Sequence, residues 1–236
     1  MGKILVTGAS GQLGRELQYL AQFSDSLIFK FTDRSQFDIT DPIHVDRHLT
    51  PDVEYLVNCA AYTKVDHAED DIDAAYHINS VAVGLLAKSC KAKGIKLIHI
   101  STDYVYHSNF GNPFSESDQT NPQGIYAKSK LEGEKLALRH NPETLVIRTS
   151  WVYSSFGQNF VKTMLRLGSE REELSVVCDQ VGTPTYARDL AASIIEIVRQ
   201  KQNQPFNGSS GIYNYSNAGT TSWYNFARQI MESKEV

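Results

Sequence analysis

The chain has 236 residues, 41% hydrophobic and 21% charged, with a formal net charge of −4. That make-up describes a globular protein large enough for one big domain, or one domain plus a smaller lobe. It gives no electrostatic reason to expect nucleic acid or an anionic membrane as partner, and no apolar run nears the ~20 residues of a membrane span.

The chain opens directly on a strand pattern, KILVTG (3–8), with no signal peptide ahead of it. QLGRELQYLAQF (12–23) follows with helical periodicity, and LIFKFT (27–32) reads as a strand. EYLVNCAA (54–61) and IKLIHIST (95–102) are further apolar runs, separated by a long helical pattern over 74–94. GIYAKSKLEGEKLAL (124–138) is a helix, and ETLVIRTS (143–150) a strand after it. Continuous buried strands alternating with helices predict an α/β fold: a Rossmann-like, doubly wound parallel sheet with helices on both faces.

From Trp151 the rhythm loosens. Helices are expected over 158–170, 187–200 and 222–234, short strands over 174–179 and 211–216, and a polar loop over 200–211. The expected division is a dinucleotide-binding part, 1–150, and a smaller C-terminal substrate lobe, 151–236, interleaved with the end of the sheet.

Three cysteines, Cys59, Cys90 and Cys178, are widely spaced without a CxxC. Buried thiols in a reduced, cytoplasmic setting are expected. His44 and His48 stand at helical spacing, but no HExxH and no clustered third ligand accompany them, so no metal site is expected.

VTGASGQLG (6–14) sets Gly8, Gly11 and Gly14 between the first strand and first helix. Glycines there permit a tight turn and close approach to a pyrophosphate, and the helix start supplies N–H donors. NADPH or NADH is therefore the expected cofactor. At the end of the second strand FTDRS puts Asp33, suited to a ribose 2′-OH, beside Arg34, suited to a 2′-phosphate. Asp38 and Ile39 of QFDITD are further candidates near the adenine end, with a plain charged turn as the alternative.

Tyr126 and Lys130 stand four apart on a helix, a spacing that chance alone supplies about as often as it occurs here. Their neighbours change the weight. STDYVY (101–106) places Ser101, Thr102 and Asp103 at the carboxyl end of a parallel strand, where ligands of open α/β sheets bind. A hydroxyl, a tyrosine and a lysine so arranged form a proton-transfer site for carbonyl reduction, the ammonium lowering the tyrosine pKa.

TGASGQLG, AAYTKVDHAED, the downstream Asn79, STDYVY, YAKSK and RTSWVY together resemble the extended short-chain dehydrogenase/reductases. More narrowly they resemble the dTDP-4-dehydrorhamnose reductase family, and the resemblance runs on through 157–165, 171–185 and 218–227. It implies NAD(P)H-dependent reduction of the C4 keto group of a dTDP-4-dehydro-6-deoxy sugar to dTDP-L-rhamnose. Gly11, Gln12 and Leu13 would line the pyrophosphate, and Ala61, Tyr62 and Thr63 would pass along the cofactor. Thr102 would bind the sugar carbonyl with Asp103 nearby. Tyr126 would donate the proton, Lys130 would hold the nicotinamide ribose, and Trp151 would pack on the deoxysugar. The turn from Gly182 to Thr185 would help shape the pocket. Some members are described as using Mg²⁺, which no ligand cluster here supports, and a homodimer is compatible with the resemblance.

Members usually continue several dozen residues past the last helix, so the substrate lobe is expected to be C-terminally truncated, with a minimal lobe as the alternative. Two alternatives stay open. One is a nucleotide-sugar epimerase or dehydratase of the same superfamily. The other is a cofactor-binding regulatory subunit resembling the methionine adenosyltransferase β-subunit.

Overall fold

Strand β1 (Lys3–Thr7) shows why the sheet lies between two helical layers. Ile4 and Val6 point to one face and Leu5 to the other, and all three are fully buried. Residues 2–107, 112–201 and 210–233 of a computed structural model are described.

Helix α1 (Gln12–Ala21) follows β1, then β2 (Ile28–Phe31), α2 (Pro42–His48) and β3 (Val53–Asn58). The long helical pattern expected over 74–94 divides into α3 (Ile72–Tyr76), a π-helical turn (His77–Val81) and α4 (Ala82–Lys93). After them come β4 (Lys96–Thr102), α5 (Gly124–His140) and β5 (Leu145–Thr149). The remainder comprises β6 (Val152–Tyr153), α6 (Phe160–Glu170), β7 (Val181–Gly182), β8 (Thr185–Tyr186), α7 (Ala187–Lys201), β9 (Gly211–Tyr215), β10 (Thr221–Ser222) and α8 (Trp223–Glu232).

The main sheet has the order β2-β1-β3-β4-β5-β9, and every pairing in it is parallel. It is the Rossmann-like arrangement expected, with the strand order reversing between β1 and β3. Leu13 and Leu17 of α1 and Leu190, Ile194 and Val198 of α7 cover one face. Val45 of α2, Leu86 and Cys90 of α4 and Ala137 of α5 cover the other.

A separate cluster joins Met164 of α6 to Ala227 and Ile230 of α8, with Phe160, Leu174 and Val176 against it. The parallel ladder β6–β8 and the antiparallel ladder β7–β10 are two residues each. The strand expected over 174–179 does not form. Tyr224 N–H donates to Val177 O at 3.0 Å, and Leu174 and Val176 are used as packing side chains instead of ladder members. Most of the loop expected over 200–211 lies outside the described residues. Cys90 is buried and Cys59 partly so, with both thiols pushed up to about 12 by burial, but Cys178 is exposed because its segment forms no strand.

Candidate active site

Gly8 follows β1 with φ +68°, and a Cβ there would lie 2.6 Å from the backbone of Cys59 and Ala60. The glycine therefore lets the first βα loop touch the end of β3. Gly11 begins α1, which has no side-chain cap and no acidic residue in its first turn. Its first N–H groups are left facing the loop, a ready seat for an anion.

Beside this loop is a cleft of about 270 Å³ whose lining includes Gly8, Gly11, Arg34, Asp38, Ile39 and Ala61. Thr63 also reaches it, whereas Asp33, Gln12, Leu13, Gly14 and Tyr62 are not part of its wall. Most of these have another task. The Asp33 carboxylate accepts from Ser35 N at 2.9 Å and Ser35 Oγ at 2.6 Å, and these turn contacts hold its pKa below the usual range. Leu13 packs in the core. Gln12 Oε1 accepts from Asn159 Nδ2 at 2.9 Å, which ties α1 to the start of α6. Tyr62 is clamped through its backbone: its N–H donates to Asn79 Oδ1 at 2.8 Å, and its carbonyl accepts from Asn79 Nδ2 at 3.1 Å.

Asn79 also donates to Ser129 Oγ at 3.1 Å, so one buried amide joins the 61–63 loop to α5. Gly133 permits this closeness, because a Cβ there would collide with the Asn79 carbonyl. Glu69 fixes the other end of α5, accepting from Ile125 N at 2.7 Å where the helix start favours a negative charge.

That anchoring sets Tyr126 and Lys130 against the carboxyl end of β4. Tyr126 hydrogen-bonds Thr102, and its ring meets Tyr104 edge-on at 5.9 Å. Burial pushes its hydroxyl up to about 12, against the Thr102 hydrogen bond, with Asp103 and Tyr104 adding to the rise. The lowering expected from Lys130 is not found. Lys130 is 2% exposed and donates its Nζ to Ile100 O at 2.7 Å, so its ammonium is aimed at the strand end. Burial brings Lys130 down to about 8 against the pull of Glu134 and Cys59.

On the far side of β4 opens a larger cavity of about 590 Å³, walled by Asp103, Arg148, Ser150, Thr183, Asn214 and others. Burial lifts the Asp103 carboxyl to about 6, opposed by a hydrogen bond from Thr102. Gly182 and Thr183 line this wall, but Trp151 does not; its ring stacks on Trp223. Among the described residues no group of three His, Cys, Asp or Glu side chains is placed to hold a metal ion.

The family model for the RmlD substrate binding domain matches residues 2–236. The chain belongs to the dTDP-4-dehydrorhamnose reductase family. It is 41% identical over 234 residues to the Escherichia coli dTDP-4-dehydrorhamnose reductase, covering 97% of this chain and 77% of that protein. It is 42% identical over 235 residues to the spore coat polysaccharide biosynthesis protein SpsK of Bacillus subtilis, covering 98% and 79%. A Bacillus anthracis dTDP-4-dehydrorhamnose reductase, solved in complex with NADP, superposes with a TM-score of 0.92 at 37% identity, covering 100% of this chain and 82% of the other.

Within this member of the reductase family, one feature of the site was not picked out from sequence. Glu134, 1% exposed, takes Arg148 Nε at 3.0 Å and a second guanidinium nitrogen at 2.6 Å, plus the hydroxyl of Ser101. Arg148 donates onward to the Tyr106 hydroxyl at 2.6 Å. The signal lay in sequence: Glu134 follows Lys130 by one helical turn, and Arg148 is an arginine inside an apolar strand, which needs a buried partner.

Proposed function

We propose that this protein reduces the C4 keto group of dTDP-4-dehydrorhamnose to give dTDP-L-rhamnose, using NADPH or NADH. The observation that carries the reading is the meeting of Thr102, Tyr126 and Lys130 at the end of β4, between the cleft beside Gly8 and the cavity beyond Asp103. The cleft fits a dinucleotide: its glycine loop closes on β3, and the uncapped start of α1 supplies N–H donors for a pyrophosphate. Arg34, Asp38 and Ile39 would hold the adenosine end, and Ala61 and Thr63 the middle. Bound there, the nicotinamide supplies the hydride.

The chain's own residues would do the rest. Thr102, buried at the strand end, orients the sugar carbonyl by hydrogen bond. Tyr126 gives its phenolic proton to the carbonyl oxygen as negative charge develops there. Burial holds this phenol up at about 12, so it carries its proton at neutral pH. Lys130 holds the ribose and stabilises the tyrosinate left behind. The dTDP-sugar would occupy the cavity walled by Asp103, Ser150 and Thr183. A cytoplasmic location and a homodimer accompany the reading, the latter testable by sedimentation.

The test is to supply dTDP-4-dehydrorhamnose with NADPH or NADH and follow loss of the reduced cofactor together with formation of dTDP-L-rhamnose. No consumption of either cofactor, with both ligands bound, would refute the reading.

A further inference from the structure

Tyr126 is the third residue of α5, so it stands in the first turn, where N–H groups have no partner within the helix and fraying begins. A helix ordinarily closes that turn with a side chain of its own. Helix α5 has none to give. Gly124 carries no side chain, Gln123 makes no capping bond and turns its amide to Asn121 O at 3.0 Å, and the first turn holds no acidic residue.

The cap comes from a distant part of the chain. Glu69 closes the 3₁₀ turn Asp66–Glu69, and its carboxylate accepts from Ile125 N–H at 2.7 Å. The backbone is shaped for this contact. Gly124 has φ +75°, and a Cβ there would lie 2.9 Å from a Glu69 carboxylate oxygen. A side chain at 124 would be strained and would crowd the carboxylate. Glu69 is itself firmly placed: Ala68 beside it is fully buried, and Ala68 N–H donates to Lys64 O at 3.0 Å. The turn follows closely on Ala61 and Thr63, which line the cofactor cleft. One exposed glutamate therefore joins the cofactor loop to the helical turn that carries the tyrosine. The carbonyl side of Tyr126 is held within α5, by Ser129 Oγ at 2.8 Å. Its leading side is held through Ile125, by Glu69.

Resting on the reductase reading above, we propose that Glu69 is a positioning residue for Tyr126: it keeps the first turn of α5 closed and so seats the phenol at the carboxyl end of β4. The competing role is a cap that serves stability alone.

Glu69 is exposed, so its variants should fold. Glu69→Ala removes the acceptor, whereas Glu69→Gln keeps an oxygen in the same place. Amide exchange at Ile125, followed by NMR, should be slow in the wild type and Glu69→Gln and fast in Glu69→Ala. In ring-labelled protein the Tyr126 resonance, assigned by its loss in Tyr126→Phe, should move in Glu69→Ala as its edge contact with Tyr104 loosens. Glu69→Gln should return it. Glu69→Ala should lower kcat about three- to tenfold, the scale of a lost cap, with KM for the sugar and cofactor affinity unchanged. Glu69→Gln should recover most of that loss. Because the action runs through the Tyr126 hydroxyl, Glu69→Ala should cost nothing further in a Tyr126→Phe background.

A lower melting temperature with unchanged kcat would overturn the proposal and leave Glu69 a cap for stability alone. So would an equal loss of kcat with and without the Tyr126 hydroxyl, or a Tyr126 resonance that does not move. Exchange at Ile125 and the ring resonance need no sugar substrate. An inactive wild-type protein that shows both effects would therefore count against the reductase reading and leave the Glu69 result standing.

Discussion

Trp151 stacks on Trp223 with ring centroids 3.5 Å apart and planes 10° from parallel. These are the two tryptophans of the chain, so their coupling has a spectrum to itself. An exciton couplet in the circular dichroism should be present in the wild type and absent in Trp223→Phe. Trp223→Ala should cost about 2 kcal/mol of stability, less than a fully buried ring would, because both rings are partly exposed. If the sugar takes the Trp151 ring, saturating dTDP-sugar should displace Trp223 and diminish the couplet. An unchanged couplet at saturation would remove Trp151 from the sugar site.

Tyr126→Phe keeps the ring that packs on Tyr104 and deletes the hydroxyl that meets Thr102. Turnover should fall by about 10²-fold or more, the usual worth of a positioned acid, with cofactor affinity nearly unchanged. Rates close to wild type would end the donor assignment. Because burial holds this phenol near 12, wild-type turnover should show no alkaline fall from loss of its proton until pH approaches that value.

Arg34 lines the cleft, whereas the Asp33 carboxylate is committed to Ser35. Arg34→Ala should therefore weaken NADPH roughly ten- to a hundredfold, the scale of a charge-assisted contact to phosphate, and NADH far less. Asp33→Ala should disturb both cofactors alike by loosening the turn. Equal losses for both cofactors in Arg34→Ala, measured by titration calorimetry, would show that it does not read the 2′ position.

These two neighbours show where sequence reading reaches its limit. The glycine loop, the strand ends and the Tyr126 helix were legible because each follows from local periodicity or from a turn that only glycine permits. Asp33 against Arg34 was not, since both sit in one exposed turn and only the fold says which side chain faces the cleft. Glu134 was hidden for a different reason. Its partners Ser101 and Arg148 come from separate strands, and a lysine–glutamate spacing on a helix ordinarily marks a solvated face. Likewise 174–179 has the composition of a strand, but a strand needs an edge to pair with, and Tyr224 takes that place.

Asp103 gives a stability test with a definite sign. Its carboxyl is lifted by burial to about 6, from roughly 3.9 in an unfolded chain. The folded state therefore holds the proton more tightly, and it loses stability relative to the unfolded chain as pH rises through that window. Asp103→Asn should raise the melting temperature at pH 7 and change it little at pH 4. The gain should be about 1 kcal/mol, well short of the full shift, because the side chain is partly exposed to screening solvent. Equal melting shifts at both pH values would contradict the raised pKa.

Strand β9 lies beside β5 in the finished sheet, yet it is encoded after β6, α6, β7, β8 and α7. During synthesis, β5 leaves the ribosome well before its neighbour does. All five of its residues end up buried, so in that interval it presents an unpaired row of amide and carbonyl groups beside the apolar side chains of Leu145, Val146 and Ile147. Such an edge is a template for wrong pairing with another chain. Nascent chains halted between 150 and 210 should accordingly be the ones most dependent on chaperones, and release of 211–215 should end that dependence by closing the last open edge beside β5.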